Sequence, residues 1–157
     1  MLSRTLVFTL ALLGSNAASA GADPAPAFVG PPGWSHAAVT ADPNRTVEQW
    51  HIAGDVTSLT YIKDTATTYD DAIAAIEKNF STNNIKPSTD HDLPCRGKTG
   101  HQVEFSIGPG GHQIAINRIV VPDGTGVDTL TYARSSDVPF DADVKKSETA
   151  FCSATGS

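Results

Sequence analysis

The sequence predicts an α+β domain in which an antiparallel sheet is flanked by two helices. Six segments are rich in β-branched and apolar residues, as strands are, and one stretch carries apolar residues at helical spacing. The last three strand-like segments are separated only by short turns containing Gly or Pro, and such turns join antiparallel neighbours. Strands that are grouped, rather than alternating with helices, are typical of the α+β class.

The N-terminus predicts a signal peptide over residues 1–20, with cleavage after Ala20. Arg4 supplies the positive region, an apolar run follows, and Ala18 and Ala20 form a small-residue cleavage motif. The apolar run is shorter than the roughly 20 residues that span a bilayer. Residues 21–33 are rich in Pro, Ala and Gly and predict a flexible lead-in to a single domain over residues 34–157. We expect a secreted or periplasmic protein that does not insert into a membrane.

The charge of the chain makes it a poor candidate for binding nucleic acid or an anionic membrane. The formal net charge is −6, and it becomes −7 once the signal peptide has taken Arg4 away. The longest positive run is Lys145-Lys146, so the sequence has no basic cluster that would bind a phosphate backbone.

Three strands and a helix are predicted in the first half of the domain. The strands are residues 36–41, 47–53 and 57–63, which carry the β-branched and aromatic residues that favour strands. The helix is residues 69–80, because its large apolar side chains recur at spacings of four, three and four. These side chains are Tyr69, Ile73, Ile76 and Phe80.

The second half predicts a three-stranded meander and a closing helix. Residues 85–94 are either a loop or an irregular edge strand, and the strands follow at residues 101–107, 113–121 and 127–134. In the middle strand the apolar alternation changes phase, which either a bulge near Asn117-Arg118 or burial of both faces would explain. The closing helix, residues 141–152, has Asp141 as its N-cap and little apolar surface.

The two cysteines, Cys95 and Cys152, predict one intramolecular disulfide. An exported chain folds in an oxidising compartment, where such a bond persists. A pair of free or metal-bound thiols is the alternative, although the sequence has no C-x-x-C motif.

The order of elements resembles the photosystem II extrinsic PsbP family and a related Ran-binding nuclear transport factor. The resemblance is carried by Gly33-Trp34, residues 47–63, the helix at 69–80, and Leu130 to Arg134 before the closing helix with Cys152. It covers most of the mature chain without a diagnostic motif. It implies an α/β/α sandwich and a role in binding or assembly, and it implies no functional residue at any position here.

The sequence predicts no catalytic, cofactor-binding or metal-binding residue. Ser35 beside His36 is not a nucleophile pair, because neighbouring residues of a strand face opposite ways. The most suggestive group is Asp90-His91-Asp92, which His101 or His112 could join, but the spacing matches no metal motif. In a tight hairpin His112 lies beside the turn and His101 at the far end, so both cannot contribute.

The leading hypothesis is an exported, non-catalytic binding or assembly-accessory domain whose partner is an unknown protein or small molecule. The alternative is a small hydrolase or metal-dependent enzyme that uses the Asp90-His91-Asp92 and His101 region. A deep cleft with convergent polar groups would favour the enzyme.

Overall fold

The computed structural model describes residues 28–110 and 112–154, in which the chain forms one seven-stranded antiparallel sheet and two helices. The sheet order is β1-β2-β3-β7-β6-β5-β4. The strands are β1 (Ser35–Asp42), β2 (Arg45–His51), β3 (Ser58–Asp64), β4 (Thr89–Cys95), β5 (Lys98–Ile107), β6 (Ile114–Asp123) and β7 (Gly126–Ser135), and the helices are α1 (Tyr69–Asn83) and α2 (Ala142–Ser153). The predicted signal peptide lies outside the described residues.

The sheet consists of two meanders that meet where β3 pairs with β7. Helix α1 carries the chain from β3 to β4 at the opposite edge, and three hairpins bring it back to β7. The predicted meander of the last three strands is therefore confirmed. Of the two interpretations of residues 85–94, the edge strand is the one observed, because β4 pairs with β5 from Thr89 to Cys95.

The turn between β4 and β5 escaped the sequence analysis because its residues are unusual. Arg96 and Gly97 have φ angles of 55° and 69°, so both adopt the left-handed conformation of a tight hairpin turn. Asn, Asp or Gly normally signals such a turn, and arginine does not. Arg96 is held there by the contacts that it makes with α2.

Strand β6 pairs without interruption with β5 and β7, so the predicted bulge near Asn117-Arg118 is wrong and burial of both faces explains the change of phase. Val120 packs in the cluster that contains Ile76 of α1, whereas Ile119 and Val121 pack in the cluster that contains Val144 of α2. We call these two sides of the sheet the α1 face and the α2 face.

The predicted helix-flanked α/β/α sandwich is wrong, because the domain is mostly a seven-stranded sheet with two short helices. The helices have only 15 and 12 residues. Seven strands spaced by about 4.8 Å form a sheet roughly 30 Å wide, and a helix about 10 Å across covers roughly two of them. Accordingly, α1 packs mainly on β6 and β7, and α2 mainly on β4 and β7.

The N-terminal segment covers part of the α2 face that α2 leaves open. Phe28 is 6% exposed and packs against the rings of Trp50, Tyr61 and Phe151. Gly30 lies so close to Trp50 that a Cβ atom there would be 2.3 Å from the indole ring. The packed domain therefore includes residues 28–33, which the sequence analysis assigned to a flexible lead-in; the rest of that lead-in lies outside the described residues.

Both helices begin at the caps that their sequences indicate. The Thr68 side chain accepts a hydrogen bond from the Asp71 amide at the start of α1, and Asp141 accepts from the amides of Asp143 and Val144 at the start of α2. The prediction that Cys95 and Cys152 pair is confirmed, with 2.07 Å between their sulfur atoms. Within the described residues, the helices are too short and too polar to cross a membrane.

Candidate functional site

Arg118 is the most unusual side chain of the α1 face. It stands on central strand β6, between Val103 of β5 and Thr131 of β7, and it is half-buried beneath α1. Its Nε donates a hydrogen bond to the Thr131 hydroxyl at 3.2 Å. Among the residues that the structure describes, no carboxylate forms an ion pair with it, and burial alone lowers the pKa of its guanidinium. Burying a cation without a counter-charge costs stability, so Arg118 does not contribute to the fold as an ion pair would.

One cavity beside Arg118 opens between α1 and strands β3 and β7. It has a volume of about 290 Å³. The helix contributes the short side chains of Ala72 and Ala75, which leave room above the sheet, while Thr129 and Thr131 contribute hydroxyl groups from β7. The cavity therefore has a mixed lining of apolar and hydroxyl side chains, and Arg118 contributes a cation to it.

A second and larger cavity lies on the other side of Arg118. Its volume is about 640 Å³, and Arg118 and Asn79 line both cavities. Its apolar lining consists of Ile85, Phe105, Ile107 and Ile116. Because the two cavities share Arg118 and Asn79, we treat them together and call them the α1 groove.

The charges around the α1 groove leave a net positive site. Arg45 and Asp64 line the smaller cavity, and Lys86 lines the larger one. Hydrogen bonds from the Ala66 and Thr67 amides, each 2.9 Å long, hold the pKa of Asp64 below its usual range, so this carboxylate stays ionised. Three cations against one carboxylate favour an anionic ligand, although the chain as a whole is acidic.

The predicted Asp90-His91-Asp92 group is only partly assembled. His101 lies between two carboxylates, with its Nε2 3.0 Å from Asp90 and its Nδ1 3.1 Å from Asp92. His91 is exposed and pairs in register with Gln102, so it points to the other face of the sheet. His112 lies in the turn between β5 and β6, far along the hairpin from His101, as the sequence analysis expected.

Both ring nitrogens of His101 are therefore engaged by carboxylates. In the described part of the chain, its hydrogen-bond partners are carboxylates and not hydroxyl or thiol groups. Over the same residues, no three His, Cys, Asp or Glu side chains are arranged to hold a metal ion. Tyr69 lines the recess beside His101, and burial followed by the charges of Asp92 and Asp70 raises the pKa of its phenol. The cluster is an acidic surface around one histidine.

His36 also has structural partners. Its Nε2 contacts the Glu48 carboxylate and its ring stacks on Trp50, with 4.8 Å between the ring centroids. It lies on the α2 face beside the buried N-terminal segment. Ser35 precedes it on β1 and therefore points to the opposite face, as predicted.

The other buried polar cluster lies on the α2 face and holds α2 to the sheet. Asp128 is 1% exposed, accepts a hydrogen bond from the Tyr61 hydroxyl at 3.0 Å and is paired with the Arg96 guanidinium. Arg96 also donates through Nε to the Phe151 carbonyl oxygen at 2.9 Å. Arg96 and Asp128 are largely buried and Arg96 packs on the Phe151 ring, so the cluster serves the fold.

Sequence analysis missed Arg118 because it considered Asn117-Arg118 only for the change of phase in the strand, which it explained by a bulge or by burial of both faces. The signal was nevertheless present: Asn117 and Arg118 interrupt the run from Ile114 to Val121, which is otherwise apolar. A polar pair in the middle of a buried strand is either satisfied by partners or kept for a ligand. Asn117 has partners in Gln102 and Glu148, and Arg118 has none that is charged among the described residues.

Comparison with known proteins assigns neither a family nor a function to this chain. No family model matches the chain, and no curated protein matches it. A solved structure with a related shape is that of PA94, a protein of unknown function from Pseudomonas aeruginosa, with a TM-score of 0.49 and 12% identity over 73% of this chain and 90% of that chain. The resemblance to PsbP-like proteins stays a prediction.

Proposed function

We propose that this chain is an exported, non-catalytic domain that binds a small anionic molecule in the α1 groove. The observation that carries the proposal is Arg118, a half-buried cation on a central strand that has no ion-pair partner among the described residues and lines both cavities. The groove has a mixed lining, in which polar side chains around Arg118 adjoin the apolar group of Ile85, Phe105, Ile107 and Ile116. Such a lining suits a ligand that has both a charged group and an apolar part.

The export part of the proposal is supported by the signal-peptide pattern and by the disulfide. A disulfide between Cys95 and Cys152 persists in an oxidising compartment. Mass spectrometry of secreted or periplasmic material should find Gly21 at the N-terminus. Retention of Met1 in that material would refute cleavage after Ala20.

The binding part is tested by titrating the protein with simple anions, namely acetate, phosphate and sulfate, and following amide and guanidinium resonances by NMR. We expect saturable shifts centred on Arg118 and Thr131 in the wild type and their loss in Arg118→Gln. The matched control is Arg134→Gln, because Arg134 is also half-buried on a strand but faces α2 and pairs with Glu104 at 3.6 Å.

The control variant should keep the anion response of the wild type. A response that Arg118→Gln leaves unchanged would show that the anions bind elsewhere. If no anion gives a saturable shift at Arg118 at millimolar concentration, the proposed function fails.

The alternative, a hydrolase or metal-dependent enzyme at the Asp90-His91-Asp92 and His101 region, has weaker support. Asp90 and Asp92 hold the His101 ring in place through both of its nitrogens. The recess beside this ring is lined by the acidic side chains of Asp70, Glu77 and Asp92. Hydrolysis of p-nitrophenyl esters or phosphates that disappears in His101→Gln and persists in Arg118→Gln would establish this function instead.

A further inference from the structure

We infer that the ligand of the α1 groove is an aliphatic monocarboxylate, with its carboxylate on Arg118 and its chain in the larger cavity. The inference rests on the proposed function and adds the chemical class of the ligand. Three features carry it: the free donors of Arg118, the net charge beside it, and the apolar lining of the larger cavity.

The donors of Arg118 match a carboxylate. Its Nε is occupied by the Thr131 hydroxyl, whereas its terminal nitrogens have no hydrogen-bond partner among the described residues. A guanidinium presents its N–H groups in a planar fork that pairs with the two oxygens of a carboxylate. The hydroxyl of Thr131 holds the guanidinium plane in position from one side and leaves the terminal edge for the ligand.

The charge of the smaller cavity favours a single negative charge. Arg45 and Arg118 contribute two positive charges to its lining, and the ionised Asp64 contributes one negative charge. The net charge of about +1 is neutralised by a carboxylate. The third cation of the groove, Lys86, lines the larger cavity, so on the side of the smaller cavity a second negative charge on the ligand would face Asp64. The acidic chain, with a net charge of −6, adds to the repulsion of a dianion.

The larger cavity provides a surface for an aliphatic chain. Phe105 and Ile116 form its floor on the sheet, and Ile107 at its rim remains 39% exposed. Its volume of about 640 Å³ lies within the usual range of small-molecule pockets, roughly 300–1,000 Å³, whereas the smaller cavity of about 290 Å³ falls below that range. The chain of the ligand therefore extends past Ile116 toward Ile107, and the carboxylate lies toward Thr131.

The test compares four probes by calorimetry on the mature protein: acetate, octanoate, octanol and octyl phosphate. Each methylene that becomes fully buried increases affinity by about fourfold. Because the hydrocarbon chain of octanoate is only partly buried, we expect octanoate to bind at least tenfold, and not many hundredfold, more tightly than acetate. We expect the same minimum preference over octanol and octyl phosphate. Arg118→Gln should lower the affinity for octanoate to that for octanol.

A second variant examines the apolar cavity. Ile107→Ser should weaken the binding of octanoate about tenfold and leave the binding of acetate unchanged, because Ile107 contacts only the chain of the ligand. In the wild type, nuclear Overhauser effects from the octanoate methyl group to Ile107 and Ile116 locate the chain without any substitution. Arg134→Gln should behave as the wild type with every probe.

The outcomes separate the two proposals. If acetate binds at Arg118 and octanoate binds no better, the monocarboxylate inference is overturned and the anion-binding function stands. Preference for octyl phosphate, or contacts of the octanoate methyl group with residues outside the larger cavity, also overturns it. If neither acetate nor octanoate binds at Arg118 but phosphate, sulfate or octyl phosphate does, only the monocarboxylate inference is overturned. If no anion binds at Arg118, both proposals are overturned.

Discussion

The guanidinium of Arg96 lies 4.2 Å from the centroid of the Phe151 ring, so the turn between β4 and β5 contacts the end of α2 directly. The same residue donates its backbone amide to the Cys152 carbonyl oxygen at 2.7 Å and pairs with buried Asp128. Beside it, Cys95 is bonded to Cys152. One turn therefore fastens a short helix to the sheet by a covalent bond, an ion pair and a ring contact.

Replacing Arg96 by methionine should lower the free energy of unfolding by about 3–5 kcal/mol, because Asp128 would be left as a buried carboxylate without a counter-charge. One oxygen of Asp128 already has no hydrogen-bond partner among the described residues. The double variant Arg96→Met with Asp128→Leu should be more stable than Arg96→Met alone. Urea unfolding measures both, and a double variant less stable than the single one would contradict the explanation. Lys146→Met, which removes an exposed pair with Asp143, is the control.

Replacing Cys95 and Cys152 by serine should lower the free energy of unfolding by about 2–5 kcal/mol, because the bond closes a loop between residues 57 positions apart. Amide hydrogen exchange should accelerate most in α2, while the central strands β6 and β7 keep their protection. Treating the wild type with dithiothreitol should reproduce the effect. Equal stability and equal protection of α2 in variant and wild type would mean that the bond does not hold the helix.

Glu148 should make the stability decrease as the pH rises above about 4.5. Glu148 lies on α2, and its burial between the helix and the sheet raises the pKa of its carboxyl above the usual value of 4.5. The charge of Lys145 and the hydrogen bond from Asn117 only partly oppose that shift. The folded chain therefore holds the proton more tightly than the unfolded chain. This contribution is fully present below the unfolded pKa and is lost as the pH rises through the folded pKa.

The variant Glu148→Gln tests this dependence, because glutamine keeps the acceptor for Asn117 and carries no charge. We expect the variant to gain stability relative to the wild type as the pH is raised from 4 to 7. Urea unfolding at both pH values measures the difference. A gain that is independent of pH would assign the effect to something other than the titration of Glu148.

Replacing Gly30 by alanine should displace the N-terminal segment, because the new Cβ atom would lie 2.3 Å from the Trp50 ring. The expected cost is about 1–3 kcal/mol, the usual range for an overpacked core. Tryptophan fluorescence should shift to the red as Phe28 leaves the Trp50 ring. Gly110→Ala is the control, since a Cβ atom there meets nothing within 4 Å. Wild-type fluorescence and stability in Gly30→Ala would argue against a packed segment.

The candidate site was only indirectly visible in the sequence. Arg118 and Asn117 were recognisable as polar residues in an apolar strand, but their neighbours Thr131 and Asn79 come from β7 and α1. Nothing in the local spacing brings these three segments together. In the Asp90-His91-Asp92 group, residues that are adjacent in the sequence do not form one site. Consecutive strand residues alternate between the faces of the sheet, so His91 is turned away from His101.

The sequence by itself determined the local elements of this protein. Apolar spacing placed α1, short turns placed the β5–β7 meander, and two cysteines allowed one pairing, because each of these depends on neighbouring residues or on simple counting. The tertiary structure alone decided that β3 pairs with β7, that residues 28–33 belong to the packed domain, and that two short helices cover only part of a wide sheet. These features depend on contacts between distant segments, where packing and the width of the sheet outweigh local preference.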